Sequence, residues 1–175
     1  MKLQVLIRRF LLPSPIVTLL AYLRFKAYVS MRAEVELSPL LRLGRKTRVS
    51  SFSKVKASHG ELTIGDRTSI ATGVFISAGE KGTHIGSDCL IGPNCTIISG
   101  TFRYGQLDKS FEEQGHDSKG TSIGNNVMLG AGTAVLDGAE IGSGVVIGAN
   151  SVETGRIPDN VVAKGNPAKV VFERR

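Results

Sequence analysis

Tryptophan is absent from this 175-residue chain, aromatics make up 6% of it, and there are only three histidines and two cysteines. Without large aromatic side chains a helical bundle has little to fill its core, whereas stacked short strands need only aliphatic residues, and 21 glycines suit the second arrangement. At 41% hydrophobic residues the chain is not disordered. An apolar stretch long enough to span a bilayer is also missing: the run from Phe10 to Leu23 is about fourteen residues where roughly twenty are needed, and Pro13 and Pro15 interrupt it. A secretory signal is disfavoured, because Arg8 and Arg9 come late and no small-residue cleavage site follows.

Acidic residues are scarce in one part of the chain. Residues 1–60 hold twelve Lys or Arg against Glu34 and Glu36, a net of +10, while residues 61–175 hold ten against thirteen acids, a net of −3. The basic part therefore suits an anionic partner such as phospholipid or a phosphorylated sugar. Nucleic acid is not expected, since interleaved aromatics and a known nucleic-acid fold are lacking.

What is present is a six-residue period. From residue 123 to 151 an aliphatic residue recurs at Ile123, Leu129, Val135, Ile141 and Ile147, each followed four places later by a smaller one: Val127, Thr133, Ala139, Val145 and Ser151. This step matches neither a helix nor a plain strand. It marks a parallel β-helix in which each unit forms one side of a triangular coil, with the aliphatic residue inside and Gly124, Gly130 and Gly142 permitting the bends. Weaker units at Leu43, Val49 and Val55 lead into clear ones from Ile64 to Ile97, giving about five coils. Cys89 and Cys95, six apart in the small-residue slot, read as buried thiols rather than a disulfide or metal pair, which suits a reducing cytoplasm.

The domain expectation is an N-terminal amphipathic helical extension over 1–42, a hexapeptide β-helix over 43–153 with a corner loop at 100–120, and a C-terminal tail over 154–175. Ser14 as N-cap and Pro15 in the first turn start a helix with Ile16, Leu19, Leu20, Leu23 and Ala27 on one face. That face either covers the open end of the β-helix or dips into the inner face of a membrane beside Arg24, Lys26 and Arg32.

Insertions between repeats all follow the third side of a trio, which places them at one corner, often the binding edge of a solenoid. The largest reads GTFRYGQLDKSFEEQGHDSKG; Phe102, Tyr104, Leu107 and Phe111 argue that it docks on something. His59, His84 and His116 are all expected at this corner. A zinc centre built from them is the competing idea, but their spacings match no short ligand motif.

From these repeats, from the loop end EQGHDSKGTSIGNNVMLGAG and from the closing GRIPDNVVAKGNPAKVV, the chain resembles the left-handed β-helix hexapeptide-repeat acyltransferases, in particular the sugar and polysaccharide O-acetyltransferase branch. The resemblance spans about residues 43–175. It implies an all-β fold, a homotrimer with sites between neighbouring prisms, acetyl-CoA as donor and a sugar or polysaccharide acceptor. It further implies that Ala131 and Ala149 meet the pantetheine arm and that Thr154 and Lys169 lie near the nucleotide end. Gly155 stands where a lysine is common, and Met128 where a tryptophan is.

The family's usual catalytic histidine position is Phe102 here, which cannot accept a proton. His116, oriented by Asp117 or Glu113, is the first substitute as general base and His84 the second. The alternative to an enzyme is a catalytically silent prism that binds a partner or serves as an assembly subunit.

Overall fold

The structure is a computed structural model that describes residues 13–57 and 59–175; the Lys2, Arg8 and Arg9 charges and the start of the apolar run at Phe10 lie outside the described residues. Strands of two or three residues wind into six coils of three faces each, and the faces stack into parallel sheets. The first face stacks Tyr28–Val29, Arg48–Val49, Ser69–Ile70, Leu90–Ile91, Met128–Leu129, Val146–Ile147 and Val161–Gly165. The second runs from Glu34–Val35 to Val152–Glu153, and the third from Leu41–Leu43 to Arg156–Ile157. The two-residue strands of the first face bury their second residue and the three-residue strands of the third bury their first and last, so Ile70, Ile91 and Leu129 form a buried column in register. Each such aliphatic side chain contributes about 1.5–3 kcal/mol of transfer free energy.

Coil-to-coil hydrogen bonds hold the stack, for example Met128 N–H to Val145 O at 2.9 Å and Gly130 N–H to Ile147 O at 2.8 Å. Strand spacing of about 4.8 Å leaves no room for a Cβ where two corners lie face to face. At Gly130 a Cβ would sit 2.5 Å from the Ala149 amide nitrogen, and at Gly124 it would sit 2.7 Å from the Gly142 carbonyl carbon. The expected reason for these glycines, freedom to bend, is therefore replaced by close approach. The left-handed backbone falls two places later, on Asn126 (φ 53°) and Gly132 (φ 70°).

The coils start at Tyr28, ahead of the boundary at 43, which makes six rather than five. Val29 and Val35 are six residues apart and Val35 and Leu43 eight, so the first coil shows only two residues in phase before its break. Its extra residues fall at the second-to-third corner, the corner that carries the other insertions. At the far end the chain folds back as Ala168–Glu173, antiparallel to Val161–Gly165 on the first face.

Helix α1 (Ser14–Phe25) closes the N-terminal end. Its N-cap is Pro13 rather than Ser14, and no side chain caps it. The stripe that meets the prism is also not the expected one. Ala21 is fully buried and Val17 and Phe25 pack on the core, at i, i+4 and i+8, whereas Ile16, Leu19, Leu20 and Leu23 are exposed. The narrow end of the prism accepts small side chains, which selects Ala21, with Ala27 just beyond the helix, over the leucines. No described helix is long and apolar enough to cross a membrane.

Candidate active site

The loop at 100–120 leaves the second face and returns to the third as a short hairpin, with Thr101 opposite Asp117 and Phe102 opposite His116. Its polar residues shape it from within. Gln114 Nε2 donates to the carbonyls of Gln106 (2.9 Å) and Lys109 (3.0 Å), and Gln114 Oε1 accepts from Gln106 N–H at 2.9 Å. The Asp137 carboxylate accepts from the amides of Lys119 (2.8 Å) and Gly120 (3.1 Å), clamping the return to the next coil. Phe102, Tyr104, Leu107 and Phe111 remain exposed, so this loop does not dock on its own prism.

Two cavities flank the hairpin. The larger, about 650 Å³, lies among Phe102, Arg103, Tyr104, Lys119, Asp137 and Thr154. The smaller, about 270 Å³, is lined by His59, Ser77, Glu80, His116, Asp117 and Ser118. Ile98, Gly100 and Asp117 border both.

Of the three histidines expected at this corner, His59 and His116 share the smaller cavity. His84 does not line it: it points outward from the third face between Thr63 and Ser122, with its Nδ1 2.8 Å from Thr63 Oγ1. The carboxylates proposed to orient His116 are engaged elsewhere. Asp117 accepts from Arg103 Nε at 2.7 Å, and Glu113 accepts from Ser110 N–H and Oγ, bonds that hold its carboxyl below the usual range. What lies against the His116 ring is Phe102, with centroids 4.0 Å apart and planes inclined by 44°. Phe102, at the position where the resemblance expects a histidine, thus packs on the histidine expected as its substitute.

The residues expected to meet the donor divide between two edges. Ala131 and Ala149 are exposed and stacked at the first-to-second corner, where Asn150 N–H donates to Ala131 O at 2.9 Å. Directly beyond them the C-terminal hairpin turns, with Lys164 opposite Lys169 and Gly165 N–H on Ser151 Oγ at 3.0 Å. Exposed backbone along this edge with two ammonium groups at its end fits an extended arm that terminates in phosphates. Thr154 is at the next corner, on the larger cavity.

Sequence and structure comparisons bear on this arrangement. The family described as bacterial transferase hexapeptide (six repeats) matches residues 120–152, and the hexapeptide repeat of succinyl-transferase matches residues 82–101. The putative lipopolysaccharide biosynthesis O-acetyl transferase WbbJ of Escherichia coli K12 is 39% identical over 115 residues, 66% of this chain and 52% of that protein. The chain carries the hexapeptide repeats of the bacterial transferases and is similar to acetyltransferases built on them. The galactoside O-acetyltransferase of Lactococcus lactis is 36% identical to this chain over 112 residues, 61% of the chain and 53% of the relative. PerB from Caulobacter crescentus, solved with CoA and GDP-perosamine, superposes with a TM-score of 0.63 at 26% identity, covering 85% of this chain and 58% of PerB. This hexapeptide-repeat chain spans about half the length of such relatives.

Two residues of this chain were not singled out as site candidates from the sequence. His59 was noted only as one of three histidines at the corner, yet it shares the cavity with His116. Glu153 occupies an inward slot in register with Val135, is 3% exposed, and accepts from the amides of Thr154 (3.0 Å) and Gly155 (2.8 Å) through Oε1. Its Oε2 is buried without a hydrogen-bond partner. The phase Val135, Ile141, Ile147, Glu153 would have revealed it, since an acid falls where the period demands an aliphatic residue.

Proposed function

We propose that the chain is an acyltransferase that moves an acetyl group from acetyl-CoA to a hydroxyl or amine of a sugar, in bacterial surface-polysaccharide synthesis, and that it works as a cytoplasmic homotrimer. The observation that carries the reading is the division of the site. The Ala131–Ala149–Lys169 edge and the His116 loop lie on opposite sides of the second face, and Ala131 and Leu136 across it are about 17 Å apart at about 3.3 Å per residue. A general base must come within hydrogen-bond reach of the proton it takes. A second copy, offering its donor edge to the first copy's loop, meets that requirement. Surfaces suited to such copies are present: Leu90 and Met128 stand exposed on the outer first face, and Tyr104, Leu107 and Phe111 on the loop.

In this reading His116 removes the proton as the acceptor oxygen or nitrogen attacks the thioester carbonyl. When bound, acetyl-CoA supplies that carbonyl and a thiolate leaving group. The carbon–sulfur bond breaks and the imidazolium returns its proton to the departing sulfur, so no net proton is held. Phe102 fixes the plane of the imidazole, while Arg103, tied to Asp117, puts positive charge on the rim of the larger cavity.

The test is CoA release with acetyl-CoA and a panel of free and nucleotide-linked sugars, beside calorimetric acetyl-CoA binding. His116→Ala should lower transfer by about two to four orders of magnitude with donor affinity unchanged. Acetyl-CoA binding with no transfer to any sugar, followed by transfer on Phe102→His, would favour the silent prism instead.

A further inference from the structure

The N-terminal end of the prism carries features that the transfer reaction does not use. The outward stripe of α1 leaves Leu19 56% and Leu23 58% exposed, although the opposite stripe already does the capping. Beside it, at the first-to-second corner of the first two coils, stand Met31 at 60% and Phe52 at 68% exposure.

Phe52 adopts φ 62°, a left-handed backbone that is unusual for a bulky side chain. Later coils place Gly73, Asn94, Gly132 and Asn150 at the same step of the same corner, residue types that tolerate this conformation. Strain kept for an exposed aromatic points to a use for that side chain.

Cations ring this apolar set. Lys26 and Lys46 stack at the neighbouring corner, where Lys46 N–H donates to Lys26 O at 2.9 Å. The Arg32 guanidinium lies 6.0 Å from the Phe52 ring centroid, and Lys26 Nζ lies 5.3 Å from that of Tyr22. Of the nearby acids, Glu34 holds Lys54 at 2.8 Å and Glu36 is buried, so the exposed surface here is positive.

We propose that this end of the prism is a docking surface for an anionic phospholipid bilayer. Leu19, Leu23, Met31 and Phe52 enter the boundary between headgroups and acyl chains, and Arg24, Lys26, Arg32 and Lys46 meet the phosphates. The 12-residue α1 is about 18 Å long at 1.5 Å per residue, short of the roughly 30 Å hydrocarbon core, and suits lying in the interface rather than crossing it. The apolar side chains project from a helix and a corner, the shape for insertion into a deformable surface. The inference stands apart from the acetyl-transfer reading and is tested without any donor.

The experiment is co-sedimentation of the full chain with vesicles of phosphatidylcholine alone and with about one third phosphatidylglycerol, at low and high salt. The protein should pellet with the anionic vesicles, stay in solution with the neutral ones, and lose affinity about tenfold or more as salt screens the lysines and arginines. Leu19→Ser/Leu23→Ser should weaken binding several-fold. Phe52→Asn should also weaken it several-fold while leaving the melting temperature equal or higher, because asparagine relieves the backbone strain. A purely structural role for Phe52 would not separate binding from stability in this way.

Failure to pellet with anionic vesicles, or equal binding to neutral ones, overturns the proposal. Unchanged binding by both apolar variants overturns it as well. If Leu19→Ser/Leu23→Ser instead breaks the oligomer of the vesicle-free protein, the stripe is an interface between copies and the bilayer is not its partner.

Discussion

Replacing Gly130 by alanine isolates the closeness of the coils from every other feature of the fold. Gly130 does not have a left-handed backbone, so the substitution adds no conformational strain of that kind. The new methyl carbon would lie 2.5 Å from the Ala149 nitrogen and 2.8 Å from its Cα, where ordinary contact begins near 3.4 Å. Both neighbours are backbone, so the coils must separate by several tenths of an ångström along the bonds Gly130 N–H to Ile147 O and Met128 N–H to Val145 O. Overpacking typically costs 1–3 kcal/mol and each weakened hydrogen bond about 1 kcal/mol, which together predict a loss of about 2–4 kcal/mol. For a chain of this size that lowers the melting temperature by about 5–15 °C. Gly155→Ala is the control, since its Cβ would meet nothing nearer than Glu153 Oε1 at 3.9 Å. Thermal melts of the two variants decide the matter. A Gly130→Ala protein that melts with the Gly155→Ala control would refute the tight stacking.

Burial pushes the thiols of Cys89 and Cys95 up, and both sulfurs contact carbonyls of the next coil, Gly124 O at 3.2 Å and Gly130 O at 3.1 Å. A thiol raised in the folded state stabilises below its unfolded value and loses that contribution as pH rises, so stability should fall above about pH 8.5. Cys89→Ala/Cys95→Ala should flatten that fall in denaturant titrations, and in the parent both thiols should resist alkylation until the chain unfolds. Asp137→Ala removes the acceptor of two loop amides, so limited proteolysis within 100–120 should accelerate several-fold with the coils intact; unchanged cleavage would mean that the clamp does not hold the loop.

The β-helix was readable because its constraint is periodic. An inward side chain is needed on every side of the triangle, and the stretch from Ile123 to Ile147 meets that need without interruption. The first coil was missed because it offers only two in-phase residues, Val29 and Val35, before the break to Leu43, too few to mark a repeat. The choice of helix face was not readable either, because α1 is apolar on both sides and only the narrow prism end selects Val17, Ala21 and Phe25. At the candidate site, Ala131 and Ala149 line one edge because repeat phase fixes which residues stack, and the C-terminal hairpin brings Lys169 to its end. Sequence spacing assigns both His116, the first candidate base, and His84, the second, to one corner. Strand register turns His84 onto the outer face, and a hairpin that no repeat encodes carries His116 to the cavity.

Subunit complementation addresses the central claim, that the donor edge of one copy serves the His116 loop of another. His116→Ala and Lys169→Glu, each poor in acetyl transfer when alone, would be unfolded together and refolded as an equal mixture. In a symmetric oligomer with sites between copies, about one quarter of the sites regain an intact loop facing an intact edge, so transfer should return to about that fraction of the parent rate. Transfer no higher than that of the separate variants, with mixed oligomers demonstrated by mass, would place the whole site within one chain and contradict the account.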